Sequence, residues 1–281
     1  MATKFNALDE DSKPVSRFNL PPSYDAIPSS VSADSTWFGR SVFPFFHSKQ
    51  ECLSRIRAIV SSPDFTSSSV AQTVSACADT LPPAEFSKLL QKHNIEQHTP
   101  LYWAIVNNQR EAFWALTKFI SKFSPACSAD LRLACMTASD HALFAQLNLG
   151  HTVNPEDQSL RCFLGCPPDE SEVEGLGNNI FVGCLRFRMF QKRLRITQKL
   201  GVEFIAGSRI WVMSFYLGPE GRWRVKLSLS EHSFPARPDI VLQIEAHRRL
   251  PDSPIPEALI VKLNHSSDML VPKERVYCFP S

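Results

Sequence analysis

The chain has 281 residues, which is enough for roughly two domains of ordinary size. Its hydrophobic content of 43% is that of a globular protein, so most of the chain can bury a core. The 30 Lys and Arg residues against 28 Asp and Glu leave a net charge of +2, which argues against a nucleic-acid or membrane partner on bulk electrostatics alone.

The beginning of the chain has no apolar segment followed by a cleavage-site pattern, so no secretory signal is predicted. No run approaches the roughly 18 apolar residues that a membrane helix needs. The 8 cysteines lack the spacing of a disulfide framework and are expected to be reduced thiols. The sequence therefore predicts an intracellular protein, in the cytoplasm or nucleus, without a transmembrane segment.

Residues 1–47 are rich in Ser, Asp and Pro, and their few apolar residues follow no period, which predicts a disordered tail. Within it, Pro21, Pro22 and Tyr24 form a Pro-Pro-x-Tyr motif. Two adjacent prolines favour the polyproline helix that WW domains bind, and the tyrosine fills a neighbouring groove. The motif indicates recruitment of a WW-domain protein, although so short a motif also fits an ordinary linker.

Residues 48–150 have the apolar spacing of short helices. Ser48 and Glu51 predict a capping box at the start of the first helix. Between His98 and Ile120 the pattern is a helical pair: Thr99 suits a helix cap. Asn residues that tolerate the left-handed conformation suit the turn between the two helices.

This pair resembles one repeat of the ankyrin family through Thr99, Pro100, Leu101 and Ala104, with Asn108 in place of the turn glycine. A related pattern recurs over about 66–149, near the family's period of about 33 residues. The resemblance implies a stack of helical pairs whose turn tips and inner helices contact a protein partner. The predicted partner-binding residues are Gln97, His98, Tyr102, Asn108 and Gln109. An antiparallel helical bundle explains the same spacings.

Residues 151–178 contain several prolines and an acidic run, and are predicted to be an interdomain linker with some ordered contacts near Cys162 and Phe163. After them the period changes from helical to two. The segment from Trp223 to Leu229 alternates strictly and follows Gly218-Pro-Glu-Gly221, which predicts a hairpin. Residues 179–281 are therefore expected to form an antiparallel β-sandwich-like domain. The predicted class is α+β, with a helical domain followed by a β domain.

A basic segment lies near the start of this predicted β domain. Its cations are Arg186, Arg188, Lys192, Arg193, Arg195 and Lys199, with aromatic residues interleaved. A strand carrying such a stripe suits a nucleic acid or an anionic surface. The competing interpretation is that these residues form the solvated face of a sheet.

Catalytic chemistry has little support in the sequence. Cys162 and Cys166 near His151 give the one hint of metal ligation, but three residues between thiols and no second pair do not fit zinc. No catalytic residue, metal site or cofactor is assigned. The leading hypothesis is a non-catalytic intracellular adaptor or scaffold; the alternatives are binding of an anionic partner through residues 186–199 and a hydrolase with an unrecognised site.

Overall fold

A computed structural model describes residues 43–62, 67–177, 179–245, 258–263 and 269–272. The Pro-Pro-x-Tyr motif at Pro21, Pro22 and Tyr24 and most of the predicted tail lie outside these residues. In the described part of the chain no helix has both the length and the apolar character needed to cross a bilayer.

The first half of the described chain is helical, and two more helices follow in the second half. The helices are α1 (Phe43–Ser61), α2 (Ser67–Thr80), α3 (Pro83–Leu90), α4 (Pro100–Val106), α5 (Arg110–Thr117), α6 (Pro125–Thr137), α7 (His141–Gln146), α8 (Pro155–Phe163) and α9 (Phe190–Thr197).

The predicted capping box at the start of α1 is wrong. The helix begins at Phe43, so Ser48 lies inside it, where the backbone N–H groups that a cap would satisfy already have helical partners. Glu51 instead accepts a hydrogen bond from Arg55, one helical turn later, at 2.6 Å.

The predicted cap and turn of the helical pair α4–α5 are confirmed. The Thr99 hydroxyl accepts from the backbone N–H of Tyr102 at 3.1 Å, and Asn108 adopts a left-handed φ of 55°. The same turn geometry closes α6 at Ser139 (φ 54°), after which Asp140 caps α7 by accepting from the N–H of Leu143 at 3.0 Å. The pairs α4–α5 and α6–α7 therefore share one kind of connection.

The strands form three small antiparallel sheets in the described residues. The sheets are β1 (Glu170–Gly177) with β2 (Ile180–Arg186), β3 (Lys199–Ala206) with β4 (Arg209–Leu217) and β5 (Trp223–Leu229), and β6 (Ile240–Ile244) with β7 (Leu259–Leu263). The predicted hairpin is confirmed: Leu217 pairs with Trp223 and the N–H of Gly218 donates to the carbonyl of Arg222 at 2.8 Å. Helices together with antiparallel sheets confirm the α+β class.

The linker predicted over residues 151–178 contains a helix and a strand, so this expectation is wrong at the level of elements. Pro155 starts α8, and the side-chain oxygen of Asn154 caps it by accepting from the N–H of Glu156 at 3.1 Å. The acidic run belongs to β1, whose glutamates at 170, 172 and 174 lie on an exposed face. The strand was not predicted because its exposed residues are glutamates, and the acidic run was taken for a linker and not for an alternating pattern.

Two apolar cores hold the described residues together. The first lies among helices α1 to α7 and also includes Ile205 of β3 and Ile210 of β4. The second lies on the other side of the sheet, where Phe204 and Trp211 pack with side chains of the β1–β2 hairpin. Since two strands contribute to both cores, the helices and the three-stranded sheet belong to one compact unit.

A buried ion pair joins the helices to this sheet. Arg132 of α6 donates to Glu203 of β3 at 2.7 Å and to the carbonyl of Leu149 at 2.6 Å, and both charged side chains are nearly inaccessible. Glu203 also accepts from the backbone N–H of His151 at 2.7 Å. Removing one partner of such a buried pair would leave the other charge unpaired in the interior, so the pair holds α6 against β3.

Candidate functional site

A tight hairpin turn precedes the capped helix α4. The backbone groups of Ile95 and His98 exchange hydrogen bonds of 3.1 and 2.9 Å, and the two residues between them have left-handed φ angles of 48° at Glu96 and 66° at Gln97. Two consecutive positive φ angles define the type I′ turn, which normally contains Asn or Gly. Residues with longer side chains in this conformation cost roughly 1–3 kcal/mol each.

Three rings support the hairpin from below. The His98 ring stacks on Tyr102 with centroids 3.7 Å apart and planes 8° from parallel, and Trp103 meets both rings edge-on. The indole N–H of Trp103 donates to the carbonyl of Ile95 at 3.0 Å. Ile95, the first residue of the turn, is therefore fixed by the hydrogen bond from Trp103, and His98, the last, by stacking on Tyr102.

Asp130 connects this hairpin to the next helical pair. Its carboxylate, only 4% exposed, accepts from His98 Nδ1 at 2.6 Å and from the backbone N–H of Thr99 at 2.7 Å. The exposed His93 ring lies 4.0 Å from the same carboxylate. A buried carboxylate that accepts two such bonds is satisfied by its donors and restrains them in return.

The opposite ends of the helices form a continuous row of turns, which we call the turn row (residues 60–62, 107–110, 139–140 and 207–208). Asn107 donates to the carbonyl of Val60 at 2.8 Å and Gln109 to that of Ser62 at 3.2 Å. Arg110 pairs with Asp140 at 2.6 Å. Beyond it, the N–H of Ser208 donates to the hydroxyl of Ser139 at 3.2 Å. Each turn is therefore bonded to the next.

A shallow depression opens in the turn row. Its rim consists of Asn108, Arg110 and Asp140, and its floor is apolar, with Phe113 and Leu143 among the residues that line it. The depression has room for about one water molecule, so it is not a pocket for a ligand or a side chain.

The predicted partner-binding residues differ in how accessible they are to a partner. Gln97 is exposed at the hairpin tip, by which we mean residues 96 and 97, and Asn108 is exposed in the turn row. Tyr102 is only 8% exposed, because its ring packs under His98, so little of it is accessible to a partner. His98 and Gln109 are committed to Asp130 and to the Ser62 carbonyl.

The residues that were not predicted from the sequence are Glu96, at the hairpin tip, and Asp130. Asp130 lies 32 residues after His98, close to the ankyrin period, so the repeat spacing was a usable signal for it. Glu96 gave no signal, because nothing in its side chain favours a left-handed conformation.

The basic segment 186–199 is not the strand that was predicted. Its centre is the helix α9, because Phe190, Arg193, Leu194 and Thr197 recur at helical spacing and the last three are buried. The sequence placed Arg193 on a solvated face; it is instead only 1% exposed and donates to Asp157 and Asp169 at distances of 2.6–2.8 Å. Although burial opposes the charged form, these hydrogen bonds raise the pKa of Arg193.

Two further cations of this segment are paired on the surface. Arg186 and Arg188 both donate to Glu170, at 2.6 and 2.9 Å. The remaining three, Lys192, Arg195 and Lys199, are exposed. The basic segment as predicted is therefore half neutralised by acidic partners.

Metal ligation finds no further support among the described residues, which contain no cluster of three or more His, Cys, Asp or Glu side chains able to hold an ion. Cys162 is exposed and Cys166 half-buried, with its thiol 4.0 Å from the carbonyl of Arg188.

Compared with protein-family models, with curated proteins and with solved structures, the chain matches none. The ankyrin resemblance thus stays a prediction made from the residues of the helical pair.

Proposed function

We propose that this chain is a non-catalytic adaptor or scaffold that binds a protein partner through the hairpin tip and the turn row. In this proposal the helical pairs α4–α5 and α6–α7 are degenerate ankyrin-like repeats, and the strands form a β-sandwich-like part of the same compact unit. The Pro-Pro-x-Tyr motif at Pro21, Pro22 and Tyr24 would add a WW-domain protein to the assembly.

One observation carries the proposal: an exposed, strained turn is hydrogen-bonded to a buried carboxylate, that of Asp130. Gln97 and Glu96 are exposed in unfavourable backbone conformations, while Asp130 below them is buried and satisfied. Strain of this kind persists where the surrounding structure determines it, and such positions cluster at binding sites. Rigid display also lowers the entropy lost on association.

The test separates the side chain of Gln97 from its backbone. Gln97→Gly removes the side chain and suits the positive φ, so the hairpin keeps its geometry. Gln198→Gly is the matched control, because Gln198 is also exposed and has a φ of 60° at the end of α9. Full-length wild type and both variants are used to capture proteins from native extract, and the captured proteins are quantified by mass spectrometry.

We expect a defined set of proteins to be captured by the wild type and by Gln198→Gly, and to fall at least about fivefold with Gln97→Gly, the equivalent of about 1 kcal/mol. Equal capture by all three chains would contradict a binding role for the hairpin tip. A parallel melting curve verifies that neither variant has lost stability.

A further inference from the structure

One face of the three-stranded sheet is apolar and buried at one end and carries exposed cations at the other end. Directly paired residues of antiparallel strands lie on the same face, and so do residues two positions apart. Ile205 and Ile210 share this face and enter the helical core at one end. At the other end the same face carries Lys199, opposite Tyr216, which is in turn opposite Arg224.

Lys226 extends this row of side chains by one more cation on the same face, beside Ser214. From strand geometry, the Cα atoms of Lys199 and Arg224 lie about 10 Å apart across β4, and those of Arg224 and Lys226 about 7 Å apart along β5. We call these four residues, Lys199, Tyr216, Arg224 and Lys226, the basic face. All three cations are exposed and Tyr216 is half-buried between them.

The cations of the basic face have no acidic partner in the described chain. The carboxylates near the basic segment are already used: Glu170 binds Arg186 and Arg188, and Asp157 and Asp169 bind Arg193. Positive charge is therefore left on this face although the net charge of the chain is only +2. The face is available to an anionic partner that crosses the strands from Lys199 to Arg224 and Lys226.

Neighbouring residues leave the basic face open at Tyr216 and along β5, whereas Ser214 of β4 is buried. Val153 fills the space above Gly201 in β3, with its Cγ1 only 2.6 Å from where a Cβ would stand. Arg224 and Lys226 are exposed, and β5 is an edge strand of this sheet in the described residues, so no further strand pairs beside them.

We infer that the basic face binds single-stranded nucleic acid, with its three cations on successive phosphates and Tyr216 stacked on a base. Proteins that hold single strands combine cations along the backbone with aromatic rings that stack on bases. A bilayer fits less well, because Trp223, the one large exposed apolar residue of β3, β4 and β5, lies on the opposite face of the sheet. This inference is independent of the proposed adaptor role, which uses the helical surface.

The experiment is a titration of a fluorescein-labelled oligothymidylate of about 15 nucleotides with the full chain, followed by anisotropy. Three neutralised phosphates predict a logarithmic salt slope of about −2, so affinity should fall about 20-fold between about 50 and 200 mM salt. The double variant R224E/K226E should lose at least about tenfold in affinity. Tyr216→Ala should lose about fivefold or more, whereas Tyr216→Phe should bind like the wild type.

The matched control is K118E/K122E, which makes the same change of charge at two exposed lysines that follow α5. It should bind the oligonucleotide like the wild type, and circular dichroism should show that all variants are folded. Equal affinity of R224E/K226E and wild type would overturn the inference and would leave the cations as protection of an edge strand against pairing. Binding to phosphatidylserine vesicles without binding to the oligonucleotide, or tighter binding to a duplex, would also overturn it.

Discussion

At the scale of single residues, Asp130 is the group on which the hairpin support depends. Replacing it by Ala leaves the Thr99 N–H and the His98 Nδ1–H without an acceptor in a mostly buried position. We expect Asp130→Ala to lower the free energy of unfolding by about 2–3 kcal/mol in urea denaturation. The exposed Glu111→Ala should change it by no more than about 0.5 kcal/mol. Equal effects of the two substitutions would show that the hydrogen bonds of Asp130 do not stabilise the folded chain.

His141 should make stability depend on pH. Its Nδ1 accepts from the N–H of Ile205 at 3.2 Å and its Nε2 lies 3.0 Å from the carbonyl of Ser171, so the neutral ring fits both partners. Burial lowers the pKa of His141 below the ordinary value of 6.5. The unfolded chain therefore binds the proton first, and the stability contributed by the neutral ring is complete above pH 6.5 and lost as the pH falls below it.

The measurement for His141 is the free energy of unfolding of wild type and His141→Asn between about pH 5 and pH 8. Asn retains an acceptor near the position of Nδ1 but does not titrate in this range. The wild type should lose more stability than the variant on the acidic side. Parallel curves would show that another group causes the dependence.

At the scale of elements, the type I′ hairpin stores strain that a substitution can release. Gln97→Gly should raise the free energy of unfolding by about 1 kcal/mol, because glycine adopts a φ of 66° without steric cost. The expected gain is measured by urea denaturation. Gln97→Val, which is β-branched, should instead lower stability, and an equal effect of Val and Gly would contradict the assigned turn.

The elements that the sequence predicted correctly are those whose signals are local. The cap at Thr99 and the hairpin between Leu217 and Trp223 each follow from a few adjacent residues and their turn chemistry. The helix α9 was missed because the buried Arg193 breaks its apolar pattern, and that arginine is acceptable inside only through Asp157 and Asp169. Such compensation depends on contacts distant in sequence, which periodicity does not contain.

The same reasoning applies to the candidate site. Gln97 and Asn108 were predicted from their place in a repeat pattern, and both are exposed. Tyr102 was predicted from the same pattern but is buried, because its ring stacks on His98. A pattern of residue types predicts where on a helix or turn a residue lies, but not which neighbouring side chain will bury it.

At the scale of the whole molecule, the accessibility of the thiols reports on the native packing. Burial raises the pKa values of Cys77, Cys127 and Cys135 to about 12, since the thiolate is disfavoured in apolar surroundings. Cys162 and Cys184 are exposed. Iodoacetamide at about pH 8 should therefore label these two in the native protein and spare the first three, as peptide mass spectrometry can show.

Labelling in denaturant is the control, because unfolding should make all of these thiols reactive. Fast labelling of Cys127 or Cys135 under native conditions would contradict the helical core, in which both are fully buried.

If this chain is an adaptor, the hairpin tip and the turn row contact another protein. A photo-crosslinking residue is placed at position 97, at 108, or at the exposed control position 158 of α8, and the full chain is irradiated in cells. We expect discrete heavier adducts that contain the same partner from positions 97 and 108, and none from position 158. Adducts from all three positions alike, or from none, would contradict the adaptor role.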